Sequence, residues 1–146
     1  MDTLLDSGAK GTIELATSTL TIVEVAFAKA EKDHKALDPA TEVQIDKLWY
    51  PHSAVRLIEF NPVIARRARE LMRLSVQRGQ KTLGVADAIH LASAESVGAT
   101  HLYTYNLGDF KPYANDVKLV VSNPPGGQTA LLPGGQAHAG TQAPNP

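Results

Sequence analysis

The sequence predicts an α/β protein, with a three-layer α/β/α arrangement around a mainly parallel sheet. Short strand-like segments are separated by longer segments with helical periodicity, and connections of that length join parallel strands. Hydrophobic residues make up 43% of the 146 residues and charged residues 20%, as in ordinary globular proteins. The length is typical of one domain.

The charge balance and the residue types exclude several classes of protein. Lys and Arg number 14 and Asp and Glu 15, giving a formal net charge of −1, so the chain is not a generally basic nucleic-acid coat. It has no cysteine, which excludes disulfide frameworks, thiolate zinc sites and cysteine nucleophiles. No apolar run approaches a membrane span of roughly 18 residues, and residues 1–10 lack a signal-peptide pattern. We therefore expect a cytoplasmic protein with no membrane partner.

The individual elements follow from periodicity, caps and glycines. Asp38-Pro39 and Asn61-Pro62 each place a capping side chain before a proline, which favours helix starts. Gly79 and Gly98 follow helical segments, and Gly84 precedes one. The predicted helices cover residues 3–9, 20–32, 39–49, 62–78 and 86–97. The predicted strands cover residues 12–17, 55–60, 101–104 and 117–121.

The composition changes near the end of the chain. Residues 124–146 contain no Asp, Glu, Lys or Arg, and five Pro and five Gly fall among them. Such a segment buries too little apolar surface to offset its ordering entropy. We predict one folded domain over residues 1–123 and a disordered tail over residues 124–146.

Three acidic residues follow predicted strand ends or begin the next helix. They are Glu24, Asp87 and Asp109. Ligands of parallel α/β sheets bind beyond the carboxyl ends of the strands. Carboxylates grouped there, without thiolates or a histidine pair, suit a hard cation such as Mg²⁺ or Mn²⁺.

Each acid also has a structural interpretation. Thr21 and Glu24 have the spacing of a capping box. Asp87 in a first helical turn favours the helix dipole, and His90 is spaced to hydrogen-bond it. Asp109 follows a glycine in a predicted loop, where Asp commonly closes a turn. Taken singly each residue fits a structural role better, whereas all three at equivalent strand ends favour a site.

Several segments together carry a family resemblance. Residues 85–94, VADAIHLASA, resemble the ADAIHLA motif of PIN-domain proteins, and residues 99–110, ATHLYTYNLGDF, resemble the strand and loop that follow it. Residues 17–25, TSTLTIVEV, resemble the segment with the family's second acid. Residues 56–65 and the helix behind them fit the family's third strand and fourth helix region. The resemblance covers about residues 12–123, and the VapC-type toxins of toxin–antitoxin pairs are the most similar group.

The resemblance implies both an activity and a set of site residues. PIN domains are divalent-metal-dependent endoribonucleases that hydrolyse RNA with metal-activated water. Glu24, Asp87 and Asp109 would be the metal ligands, with Mg²⁺ or Mn²⁺ as the ion. Thr104 and Asn106 would be polar neighbours that orient water or phosphate. The partners implied are an RNA substrate, a cognate antitoxin and a second copy of the chain.

The N-terminus departs from the family pattern. PIN domains usually begin with a central hydrophobic strand that ends in the first acid of the site. Residues 1–10 instead resemble the end of the helix before the second strand, so Asp2 is not assigned as the missing ligand. We expect either a true start upstream of Met1, which we favour, or a degraded copy. Direct pairing of the neighbouring strands is a third way to close the gap.

A basic stretch and two further function classes complete the predictions. Arg66, Arg69 and Arg73 share one helical face, near Arg67, Arg78 and Lys81; they favour an RNA phosphate track and a solvated helix face about equally.

The leading function is a ribonuclease toxin. The alternative is a weakened or inactive PIN-like protein that binds antitoxin or RNA. A phosphoacceptor receiver domain is disfavoured, because no paired acids follow the first strand and no lysine follows the last.

Overall fold

The computed structural model of the protein describes residues 3–25 and 39–126. Its helices and strands alternate along the chain. In order they are α1 (Leu4–Ala9), β1 (Leu15–Ser18), α2 (described over residues 20–25), α3 (Pro39–Asp46), β2 (Val55–Ile58), α4 (Pro62–Gln77), α5 (Val85–Ser96), β3 (His101–Tyr103), α6 (Leu107–Phe110) and β4 (Val120–Ser122). Short 3₁₀ turns follow α3 and α6, at Lys47–Trp49 and Lys111–Tyr113. Within the described ranges, no helix is long and apolar enough to cross a membrane.

Side-chain caps fix the starts of α1 and α4. Thr3 and Asp6 form a reciprocal capping box, in which each side chain accepts a hydrogen bond from the other residue's backbone N–H. The Asn61 side chain accepts from the N–H groups of Val63 and Ile64, and a proline occupies the first turn of α4. The helix start predicted at Asn61-Pro62 is therefore confirmed, because local hydrogen bonds satisfy donors that a helix leaves open.

The strands are parallel, as predicted, but they form two separate pairs. β1 pairs with β2 in the register Leu15↔Val55 to Ser18↔Ile58. β3 pairs with β4 in the register His101↔Val120 to Tyr103↔Ser122. Among the described residues neither pair joins the other. The α/β class is thus confirmed, whereas direct pairing across the gap is not found.

Strand boundaries differ from the predicted ones for local reasons. The predicted strand 12–17 begins at Leu15, because the chain first turns at Gly11, whose φ is 69°. The predicted strand 117–121 begins at Val120, because Lys118 has a φ of 55°. Such left-handed conformations interrupt extended backbone. The strand predicted over 55–60 ends at Ile58.

The hydrophobic core is centred on the packing of α4 against α5. Leu71 and Leu91 are fully buried at 0% exposure, and each such side chain contributes roughly 1.5–3 kcal/mol by leaving water. Ile58, Phe110 and Val121 belong to the same cluster. Because α5 also contacts β1, this packing places the helix that carries Asp87 beside the β1–β2 pair.

The connection between α4 and α5 is anchored by a buried serine. Ser75, at 0% exposure, accepts a hydrogen bond of 3.2 Å from the N–H of Leu83, which is itself buried. The Ser75 hydroxyl also donates to the carbonyl of Met72 at 2.6 Å. The chain between the helices therefore returns to a defined point just before α5.

Three predictions concern residues outside the ranges 3–25 and 39–126. The second half of the helix predicted over 20–32, the cap at Asp38 and nearly all of the tail predicted over 124–146 lie outside the described residues. Of that tail, residues 124–126 are described.

Candidate active site

Asp87 lies in the first turn of α5, next to a glycine cap. Gly84 is the N-cap residue of the helix and contributes no side-chain hydrogen bond. A Cβ atom at Gly84 would lie 3.2 Å from Oδ2 of Asp87. The glycine therefore leaves room for the carboxylate, which is partly buried.

Glu24 is joined to α5 through His90. The distance between Nε2 of His90 and Oε2 of Glu24 is 2.6 Å, and the side chains are 17% and 41% exposed. His90 stands one helical turn after Asp87, so the two residues share a face of α5. This contact brings Glu24 to the part of the molecule that holds Asp87.

The capping box considered for Glu24 is wrong. Thr21 lies inside α2, which is helical from residue 20, and its hydroxyl lies 2.7 Å from the hydroxyl of Thr17. The hydrogen bond considered between His90 and Asp87 is also not formed, because the His90 ring contacts Glu24 instead.

Asp109 is held by two side chains, one on each carboxylate oxygen. Lys81 Nζ lies 2.9 Å from Oδ1, and Asn106 Nδ2 donates to Oδ2 at 2.8 Å. The backbone N–H of Asn106 donates to the hydroxyl of Thr104 at 3.0 Å. Thr104 and Asn106 therefore support Asp109, and Asp109 lies in the short helix α6 rather than in the predicted loop.

The charges of this region act on one another. Burial, followed by the negative charge of Asp109, raises the pKa of Asp87 above its ordinary value, and Glu24 adds to the effect. The hydrogen bond from Lys81, followed by that from Asn106, lowers the pKa of Asp109. The three predicted acids thus belong to one electrostatic neighbourhood, centred on Asp87.

In the described part of the chain, the three acids offer donors that suit a metal ion but are not grouped around one point. Within residues 3–25 and 39–126, no three His, Asp or Glu side chains are grouped closely enough to hold a metal ion. Their chemistry suits a hard cation, but Glu24 is bonded to His90 and Asp109 has both oxygens engaged. A shared ion would require at least some of these contacts to change.

Sequence reasoning did not foresee the partners of the acids. Lys81 was grouped with the basic stretch, and its contact with Asp109 spans 28 residues of sequence. His90 reaches Glu24 across 66 residues. Neither spacing has a local signal, although the position of His90 three residues after Asp87 already indicated the shared helix face.

The basic stretch divides into paired and unpaired side chains. Arg67 binds both oxygens of Glu95 through Nε at 2.6 Å and Nη2 at 3.0 Å. Arg78 binds both oxygens of Asp116 at 2.8 and 2.7 Å. Both arginines therefore cross-link the fold. The exposed arginines of α4 without an ion pair among the described residues are Arg66, Arg69 and Arg73.

Fold and site together define a class: an α/β domain with parallel strands and an acidic region around the first turn of a buried helix. The model of the PIN-domain family matches residues 3–115. The chain belongs to the PIN-domain family, whose members are generally metal-dependent nucleases. No curated protein matches the sequence at a significant level.

Proposed function

We propose that this protein is a divalent-metal-dependent endoribonuclease and the toxin of a type II toxin–antitoxin pair. The observation that carries the proposal is the match of the PIN-domain family to residues 3–115. It is supported by the placement of Asp87 in the first turn of α5, where burial and the charges of Asp109 and Glu24 raise its pKa. Perturbed acids of this kind concentrate at functional sites. Mg²⁺ and Mn²⁺ are the proposed ions, because both prefer carboxylate oxygens.

The side chains have two proposed roles: the acids attract a cation, and neighbouring polar side chains position the acids. Glu24, Asp87 and Asp109 supply the negative charge that attracts a cation. His90 contacts the carboxylate of Glu24. Asn106 donates to one oxygen of Asp109, and its backbone N–H donates to the hydroxyl of Thr104. The RNA backbone is proposed to lie along Arg66, Arg69 and Arg73, which are free to bind phosphates.

Neutralising Asp87 tests the activity. The Asp87→Asn variant is expected to lose at least about 100-fold in RNA hydrolysis, because it removes a charge that the site requires. Fluorescent RNA would be incubated with Mg²⁺ or Mn²⁺, with and without EDTA. The matched control is Asp46→Asn, an exposed acid at the end of α3, which should cleave like the wild type. EDTA-sensitive cleavage that survives in Asp87→Asn would refute the assignment.

A second candidate is supported by the absence of a grouped metal site among the described residues. In this alternative the chain is a catalytically weakened PIN-like protein that binds an antitoxin or RNA. It predicts no cleavage by the wild type and partner binding that is unchanged by EDTA and by Asp87→Asn. Binding that requires the divalent ion would reject it.

A further inference from the structure

Lys81 is the cation that the chain itself supplies to the acidic region. Its Nζ lies 2.9 Å from Oδ1 of Asp109, and the two side chains are 80% and 23% exposed. It also acts electrostatically on Asp87. The arginine–acid bridges within the described ranges lie elsewhere, at Glu14, Glu70, Glu95 and Asp116.

The contact is suited to exchange. Exposed ion pairs are weak, because water and salt screen them and two side chains lose freedom. The Lys81 ammonium sits on a flexible stem of four carbons. The backbone nearby is fixed independently, since Leu83 is buried and bonded to Ser75. Lys81 can therefore leave Asp109 without unfolding the connection.

A divalent cation and the lysine are both attracted to the carboxylate of Asp109, which Lys81 contacts through Oδ1. Because both are positive, binding of one weakens binding of the other. We propose that Lys81 is an exchangeable counter-ion of Asp109: it leaves the carboxylate when a divalent cation binds there, and its freed ammonium then binds an RNA phosphate. Both steps rest on the proposed function, which supplies the divalent cation and the RNA. Lysine is a common phosphate ligand, as a point charge.

Cation binding tests the first step directly. Mn²⁺ affinity would be measured by calorimetry and by paramagnetic resonance of free Mn²⁺. Lys81→Met should bind Mn²⁺ about 3- to 10-fold more tightly than the wild type, because the competing charge is gone. Lys81→Arg retains the charge and should resemble the wild type. Lys111→Met, which removes an exposed lysine at the end of α6, is the matched control.

Several outcomes would overturn the first step. They are an unchanged or weaker Mn²⁺ affinity in Lys81→Met, an equal gain in Lys111→Met, or no Mn²⁺ binding by either wild type or Lys81→Met. Thermal unfolding followed by circular dichroism shows whether the variants keep the fold. The exposure of Lys81 predicts that they do.

RNA binding tests the second step. A fluorescent 2′-O-methyl RNA, which resists cleavage, would be titrated with each protein by anisotropy, with and without Mn²⁺. Lys81→Met should lose about 3- to 10-fold in affinity when Mn²⁺ is present and change little when it is absent. An equal loss in both conditions, or none in either, would overturn the exchange. A wild type that binds Mn²⁺ and RNA in this manner but does not hydrolyse RNA would refute only the nuclease.

Discussion

The described residues before and after the end of β2 differ in how they are packed. In the first region, residues 3–25 and 39–58, the buried apolar side chains are Ile45 and Ile58. All the other buried apolar residues of the described ranges belong to the second region, residues 62–126. Asp87 and Asp109 are thus carried by the well-packed region and Glu24 by the sparse one. The acid with the least structural support is Glu24.

The contrast shows how the acidic region is assembled. Asp87 is positioned by the core beneath α5, and Asp109 by two side-chain contacts within its own region. Glu24 depends on its bond to His90, which reaches it from the other region. We expect the relative position of Glu24 to vary most between free and ligand-bound states, because within residues 3–25 and 39–126 one partly exposed contact holds its side chain.

The largest expected effect compares the cores of the two regions. Leu71→Ala should lower the free energy of unfolding by about 3–5 kcal/mol, since the fully buried side chain leaves a cavity between α4 and α5. Ile45, at 9% exposure in α3, lies outside the core cluster. Ile45→Ala should therefore lower the free energy of unfolding by about 2 kcal/mol or less. Urea unfolding measures both. Equal losses would break the comparison between the regions.

The next effect compares one arginine from each region. Arg67→Ala should cost about 1–2 kcal/mol, because it removes two bonds to Glu95, one to Glu70 and one to the carbonyl of Asp116. Arg56→Ala removes the bridge to Glu14, with side chains 60% and 71% exposed, and should cost less than about 0.5 kcal/mol. A double-mutant cycle with Glu95→Gln checks the Arg67 pair. A cost for Arg56→Ala that matches Arg67→Ala would contradict the assignment.

The smallest effect concerns the charge of Asp87. Its pKa is raised above 3.8, chiefly by burial and then by Asp109, so the folded state binds this proton more tightly than the unfolded chain. The contribution of Asp87 to stability therefore falls as pH rises from 3.8 through its raised pKa, and the full penalty applies above that pKa.

Asp87→Asn should accordingly stabilise the fold at pH 7, by less than about 1 kcal/mol because the side chain is partly solvated. The gain should shrink as the pH falls through the raised pKa of Asp87 and should be absent below 3.8. Thermal unfolding across this pH range measures it, with Asp46→Asn as the control. Destabilisation by Asp87→Asn at pH 7 would show that the carboxylate supports the fold.

The sequence allowed the local parts of the fold to be predicted. Asn61 caps α4 through bonds to residues two and three positions away, and such bonds are readable from sequence. The left-handed backbone at Lys118 carried no comparable signal, so the start of β4 was misplaced. The separation of the strands into two pairs is a tertiary property, which alternation within a segment does not encode.

The candidate site was predictable in its acids and not in their partners. Glu24, Asp87 and Asp109 could be selected because parallel strands and the following helices place such residues at one edge. The bonds of His90 and Lys81 span 66 and 28 residues, and nothing short-range specifies them. The acids that Arg67 and Arg78 bind through both carboxylate oxygens likewise lie 28 and 38 residues away, so the composition of the basic stretch does not indicate them.

The Ser75–Leu83 hydrogen bond limits how far the Lys81 ammonium can move. It pins the backbone two residues from Lys81 at a buried point, so a departing ammonium can travel only as far as its own side chain allows. The backbone of the connection stays in place, and the Lys81 side chain moves about it. Any phosphate that Lys81 binds must then lie within reach of its side chain from a backbone position that the fold sets, so the fold rather than the RNA limits the spacing between bound cation and bound phosphate.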